Sequence, residues 1–201
     1  TSVQYDFTKA DVILSLDYDF TNEGPGHLRY AKDFSRKRRI RKAGDTMNRL
    51  YQLESFPSPT GALADHRIAL SPSEIAGFIS NLGQQLGLEG PEIALPPSTE
   101  KYLDAILADL RSNRGSSLIL AGPSLSPDLH ALVNSINAQL GNIGETITLH
   151  EPVEVNPIDH IDSLSLLNKR IANEEIKVLL VLGGNPAYNA PTGFGLAEMI
   201  K

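Results

Sequence analysis

Apolar positions along the chain alternate between two periods. Five short runs rich in β-branched and aliphatic residues recur: DVILSL (Asp11 to Leu16), RLYQLE (Arg49 to Glu54), SSLILAG (Ser116 to Gly122), TITLH (Thr146 to His150) and KVLLVLGG (Lys177 to Gly184). Each is followed by turn residues and then by a segment of helical period. DVILSL, SSLILAG and KVLLVLGG are nearly continuous in apolar residues, the pattern of strands covered on both faces by helices. The predicted helices are 26–41, 73–86, 101–111, 127–140, 163–172 and 193–200. Ser71-Pro72-Ser73-Glu74 reads as a capped start with a capping-box glutamate, Ser98 or Thr99 as the cap of the next helix, and Ser126 as the cap of 127–140, which stops at Gly141. Strand then helix, repeated, predicts an α/β fold: a doubly wound, mostly parallel, Rossmann-like sheet with helices on both faces. The Gly- and Pro-rich stretch 87–98 reads as a linker, so two Rossmann-like halves are expected, 1–90 and 91–201.

Composition narrows the chemistry more than the fold. At 201 residues, 41% hydrophobic and 21% charged, the chain is an ordinary globular sequence and long enough for a core without staples. The absence of cysteine excludes disulfides, a thiolate nucleophile and Cys-ligated zinc or iron–sulfur centres in this segment. A net charge of −6 argues against a nucleic-acid binder. The run SRKRRIRK is the local exception. It contains Arg36, Lys37, Arg38, Arg39, Arg41 and Lys42, and reads as the solvated end of a helix or a docking surface for an acidic partner. No apolar run reaches the ~20 residues of a membrane span, so no direct insertion into a bilayer is expected.

Ligands of open parallel sheets bind beyond the carboxyl ends of the strands, which directs attention to the turns after the five runs. After the first come Asp17, Tyr18 and Asp19, then Gly24-Pro25-Gly26, short of a full dinucleotide fingerprint. After the second come Glu54, Ser55, Ser58 and Thr60, with Asp65 and His66 further on; without a GxSxG elbow the last two read as structural and not as part of a triad. After the third, Ser124, Ser126 and Asp128 stand at a predicted helix start, where capping accounts for them. After the fifth, Gly183, Gly184, Asn185 and Pro186 form the most ligand-like turn: the glycines admit a ligand to the backbone and Asn185 offers a donor and an acceptor. The five histidines form no HxxxH or HxH pair.

Taken in order, ADVILSLDYDF, GPGHLRYAKDF, MNRLYQLESFPSPTGALADHR, LAGPSLSPDLHALVNSINAQLGNIGETI and VLLVLGGNPAYNAP resemble the molybdopterin oxidoreductase (DMSO reductase) superfamily. More closely, the chain resembles the molybdopterin-like domain of the large iron–sulfur subunit of bacterial alternative complex III, a quinol-oxidising membrane complex. In active members, strand-end turns of the Gly-x-Asn-Pro type and a strand ending in Asp-Pro-Arg hold a pterin guanine dinucleotide. This chain keeps Gly184, Asn185 and Pro186. It has Asp17, Tyr18, Asp19 and Phe20 where the first such turn would be, and Glu54, Ser55 and Phe56 in place of Asp-Pro-Arg. The resemblance therefore implies a segment of a larger subunit with no catalytic residues and no cofactor of its own, and with Asp19, Glu54, Ser124, Gly184 and Asn185 as vestigial cofactor-binding positions. It further implies iron–sulfur clusters elsewhere in the parent subunit, that subunit's iron–sulfur domain and other subunits of the complex as partners, and a place on the periplasmic side of the inner membrane.

Overall fold

The computed structural model describes residues 2–90, 93–153 and 157–200. In chain order the elements are β1 (Ser2–Tyr5), β2 (Val12–Leu16), α1 (His27–Lys37), β3 (Arg49–Glu54), α2 (Pro59–Ala62), β4 (His66–Ala69), α3 (Pro72–Gln85), α4 (Pro97–Ser112), β5 (Ser117–Ala121), α5 (Pro127–Gln139), β6 (Ile147–His150), α6 (His160–Ala172), α7 (Pro186–Asn189) and α8 (Leu196–Met199), with a 3-10 turn at Thr192–Phe194. Two compact units divide the chain, Thr1–Glu151 and Pro152–Lys201.

The first unit is built on a four-stranded, all-parallel sheet of order β4-β3-β2-β5 flanked by helices, a Rossmann-like α/β fold. Strand β2 is buried along its whole length, as its unbroken apolar sequence requires. Its alternate side chains feed two cores. Val12, Leu14 and Leu16 join Leu53 and Ile119 under Ile75 and Phe78 of α3, Leu107 of α4 and Ile136 of α5. Ile13, with Leu50, Leu118 and Leu120, meets Phe34 of α1 and the aromatic pair Phe7 and Phe20, whose rings stack with centroids 4.5 Å apart. Helix α3 starts as its sequence dictates: Ser71 caps it, and the Glu74 carboxylate returns to the Ser71 N–H.

Several expectations are corrected. TITLH forms β6, but pairs antiparallel with β1 in a separate two-stranded sheet. KVLLVLGG forms no strand among the described residues, with Val178 and Leu182 more than 80% exposed. β4, outside the five runs, supplies the fourth parallel strand instead. The predicted linker 87–98 is shorter than expected, because α4 begins within it at Pro97. Pro96 occupies the N-cap position in place of Thr99, and the side chain of Ser98 lies outside the described residues. Pro91 and Glu92 lie outside the described residues. The expected boundary near residue 90 falls inside the first unit, and the chain on either side of it contributes strands to one sheet. The predicted helix 193–200 is divided by Gly195, whose φ of 61° sets it apart from the helical turn of α8.

Candidate functional site

Chain order places β3 and β4 on one side of β2 and β5 on the other. The winding direction therefore reverses at β2, and a crevice is expected beyond the carboxyl ends of β2 and β5. The turn after β2 is tight. Ser15 donates to the Tyr18 carbonyl (2.7 Å), and Asp17 takes a left-handed φ of 53°. Its amide donates to the Leu53 carbonyl of β3 (2.7 Å), while the Gly122 amide at the end of β5 donates to the Leu16 carbonyl (2.9 Å). At Gly122 a Cβ would lie 1.9 Å from the Asp17 carbonyl oxygen, so only glycine allows β2 and β5 to close this far.

The Asp17 carboxylate bridges three strand ends. Oδ1 accepts from the amide and hydroxyl of Ser55 beyond β3 (3.1 Å each), and Oδ2 accepts from the Ser124 hydroxyl beyond β5 (2.6 Å). Asp19, 8% exposed, accepts from the amide and hydroxyl of Thr60 (3.0 and 2.6 Å) and from Thr21 (3.2 Å). Glu54, 2% exposed, is ion-paired with Arg67 and accepts from the Ser58 hydroxyl (2.5 Å) and Gln52 Nε2 (3.2 Å). A Cβ on Gly61 would collide with that carboxylate at 2.1 Å. The space lined by Asp17, Asp19, Glu23, Gln52, Glu54, Phe56 and Ser58 measures about 20 Å³, enough for one water molecule. Buried Gln52 Oε1 has no hydrogen-bond partner among the described residues and could accept one from such a water.

The structure thus brings Asp19, Glu54 and Ser124 together around Asp17. Gly184 and Asn185 belong to the second unit. There Asn185 precedes α7 with its side chain uncommitted to the helix start, Gly183 has a φ of 73°, and the turn borders an apolar cavity of about 400 Å³ that includes Leu167, Leu179 and Val181. Asp65 and His66 do not cooperate. Asp65 forms a bidentate pair with Arg38 (2.8 and 2.7 Å) and accepts from the Leu50 amide (2.8 Å), and the Arg38 guanidinium holds its carboxyl below the usual range. His66 stacks on Tyr51 at 4.9 Å. Ser126 occupies the N-cap position of α5 without a side-chain cap bond, and Asp128 stands in that helix's first turn.

The open cavity at the sheet's carboxyl end lies elsewhere. About 310 Å³ in volume, it is bounded by Tyr5 of β1, Tyr18 and Glu23 after β2, Gly24 to Gly26, Tyr30 of α1, Pro123 after β5 and His130 of α5. Its glycines lie close against the tyrosines. A Cβ on Gly24 (φ 80°) would lie 2.6 Å from the Tyr18 hydroxyl, and one on Gly26 would lie 2.4 Å from the Tyr30 ring. Burial pushes the Tyr5 and Tyr18 phenols up, each reinforced by neighbouring phenols, so both stay neutral donors. Gly24-Pro25-Gly26 was the legible signal. Tyr5 and Tyr30 carry no such signal, because no pattern in the sequence announces the short strand β1 that brings Tyr5 to this place.

No protein-family model matches the chain, and no curated protein sequence matches it. Among the described residues, no helix is long and apolar enough to cross a membrane, and no three acidic or histidine side chains are grouped to hold a metal ion.

Proposed function

We propose that this chain is a degenerate molybdopterin-oxidoreductase-like domain acting as a non-catalytic scaffold in a respiratory, quinol-oxidising membrane complex. In that role it docks to the iron–sulfur domain of its own subunit, on the periplasmic side of the membrane. The observation that carries the reading is the Asp17 bridge. Where a pyrophosphate would enter, a carboxylate ties Ser55 to Ser124 and leaves about 20 Å³ beside it. Asp17, Asp19 and Glu54 would each repel a pyrophosphate by like charge, and their oxygens already accept internal hydrogen bonds. Native mass spectrometry with molybdopterin guanine dinucleotide tests this: a bare mass is expected, together with co-purification of the chain with the iron–sulfur region when both are expressed. A stoichiometric adduct, or failure of the two parts to associate, overturns the reading.

A second reading, a domain that still binds a ligand of the pterin or guanine nucleotide type, is favoured by the tyrosine-lined cavity. Its 310 Å³ reaches the lower end of the range for small-ligand sites, and the aromatic side chains of Tyr5, Tyr18 and Tyr30 suit a flat, polar-edged ring. Under this reading guanosine raises the melting temperature, and Tyr18→Ala abolishes the rise. An unchanged melting temperature removes it.

A further inference from the structure

Residues 24–44 hold eight of the chain's eighteen Lys and Arg residues and one carboxylate, Asp33. Asp33 is 8% exposed and lies on the inner side of α1 with Tyr30 and Phe34. The outer side presents Leu28, Lys32, Ser35 and Arg36 at helical spacing, all exposed, and the chain continues through exposed Arg39, Ile40, Arg41 and Lys42. Some of these cations serve the fold: Arg38 pairs with Asp65, Lys37 with Asp11, and Arg29 and Arg36 reach toward Asp33. Lys32, Arg39, Arg41 and Lys42 have no ion-pair partner among the described residues. The one nearby carboxylate after the helix, Asp45, is occupied by the backbone amides of Arg41 and Lys42 (2.9 and 3.1 Å), which fixes the loop that carries them.

Set among these charges are three exposed aliphatic side chains: Leu28 at 77%, Ile40 at 53% and Met47 at 50%. We propose that the outer face of α1 and the loop 38–47 form a docking surface for an anionic phospholipid bilayer. Guanidinium and ammonium groups would lie at the headgroup phosphates, with Ile40 entering the acyl boundary between Arg39 and Arg41. Single aliphatic side chains spaced among cations suit a fluid surface, whereas an acidic protein would have to supply a separate pocket for each. Nucleic acid fits less well, because Ile40 and Met47 gain nothing from a phosphate backbone and the face offers no exposed aromatic ring for base stacking. The remainder of an acidic chain would be repelled by the same bilayer, so the contact would also set an orientation. This inference stands apart from the scaffold reading and does not need it.

Co-sedimentation of the whole chain with phosphatidylcholine vesicles, with and without phosphatidylglycerol, tests it. Binding is expected only with phosphatidylglycerol and should weaken steeply with added salt. The triple variant Arg39→Gln, Arg41→Gln, Lys42→Gln should lose on the order of a hundredfold in partitioning, at roughly fivefold per cation. Ile40→Ser should lose up to about tenfold, with the salt dependence retained. Equal binding to neutral vesicles, no binding to either, a triple variant that binds like the parent, or capture by poly-glutamate or RNA in preference to vesicles overturns the proposal. The salt series on the unaltered chain decides independently of whether any variant folds.

Discussion

Asp17 carries the conformation on which the crevice depends. A left-handed φ costs a non-glycine residue roughly 1 kcal/mol, and here the cost is offset by three side-chain hydrogen bonds that join the ends of β2, β3 and β5. The facing residue has no latitude. Gly122→Ala drives a methyl into the Asp17 carbonyl and is expected to cost about 3 kcal/mol in urea denaturation, the upper range for overpacking a rigid site. Asp65 makes a different, pH-dependent contribution. Its folded pKa is depressed chiefly by the hydrogen bonds from Arg38, so the stabilisation is present above the unfolded value of about 4 and is lost as pH falls through the lowered folded value. Asp65→Asn should therefore lower the denaturation midpoint at pH 7 by the equivalent of roughly 2 kcal/mol, with the difference from the parent shrinking below about pH 4.

At the scale of elements, β5 stands at an end of the sheet order, and its outer edge is closed by a side chain. Asn137 of α5 accepts from the Ile119 amide (3.1 Å) and donates to the Ile119 carbonyl (2.9 Å), imitating a neighbouring strand and blunting the edge. Asn137→Ala leaves both buried groups unpaired and should cost about 3 kcal/mol, with hydrogen exchange at Ile119 as the local readout. DVILSL and SSLILAG are legible as strands in the sequence because both faces of each are largely buried, so hydrophobicity alone identifies them, whereas RLYQLE carries Arg49, Gln52 and Glu54 and is legible only with the turn residues that follow it. TITLH and KVLLVLGG carry the same local signal. What they pair with depends on contacts distant in sequence, and β6 found β1, a polar four-residue strand with no pattern of its own. The candidate site was legible to the same depth. Asp17, Asp19, Glu54 and Ser124 were marked by their positions after strands, but their mutual hydrogen bonding depends on tertiary register, and so does the cavity, which needs Tyr5 from β1.

For the molecule as a whole, both cores and both sheets lie within the first unit, and among the described residues no buried residue of either core follows Ile147. A chain ending at Glu151 is expected to unfold cooperatively with a calorimetric midpoint within a few degrees of the full chain; a broad transition without a midpoint would mean that the second unit supports the first. The account rests most directly on Asp17 being an internal strut and not a vacant binding group. Asp17→Gly separates these, because glycine adopts the left-handed φ without strain while removing the bridge. Its urea midpoint should fall by the equivalent of about 2 kcal/mol, the loss of charge-assisted hydrogen bonds exceeding the relief of strain. A midpoint that stays level or rises would contradict the account, since it would mean that the carboxylate holds nothing together and is kept at the crevice for another purpose.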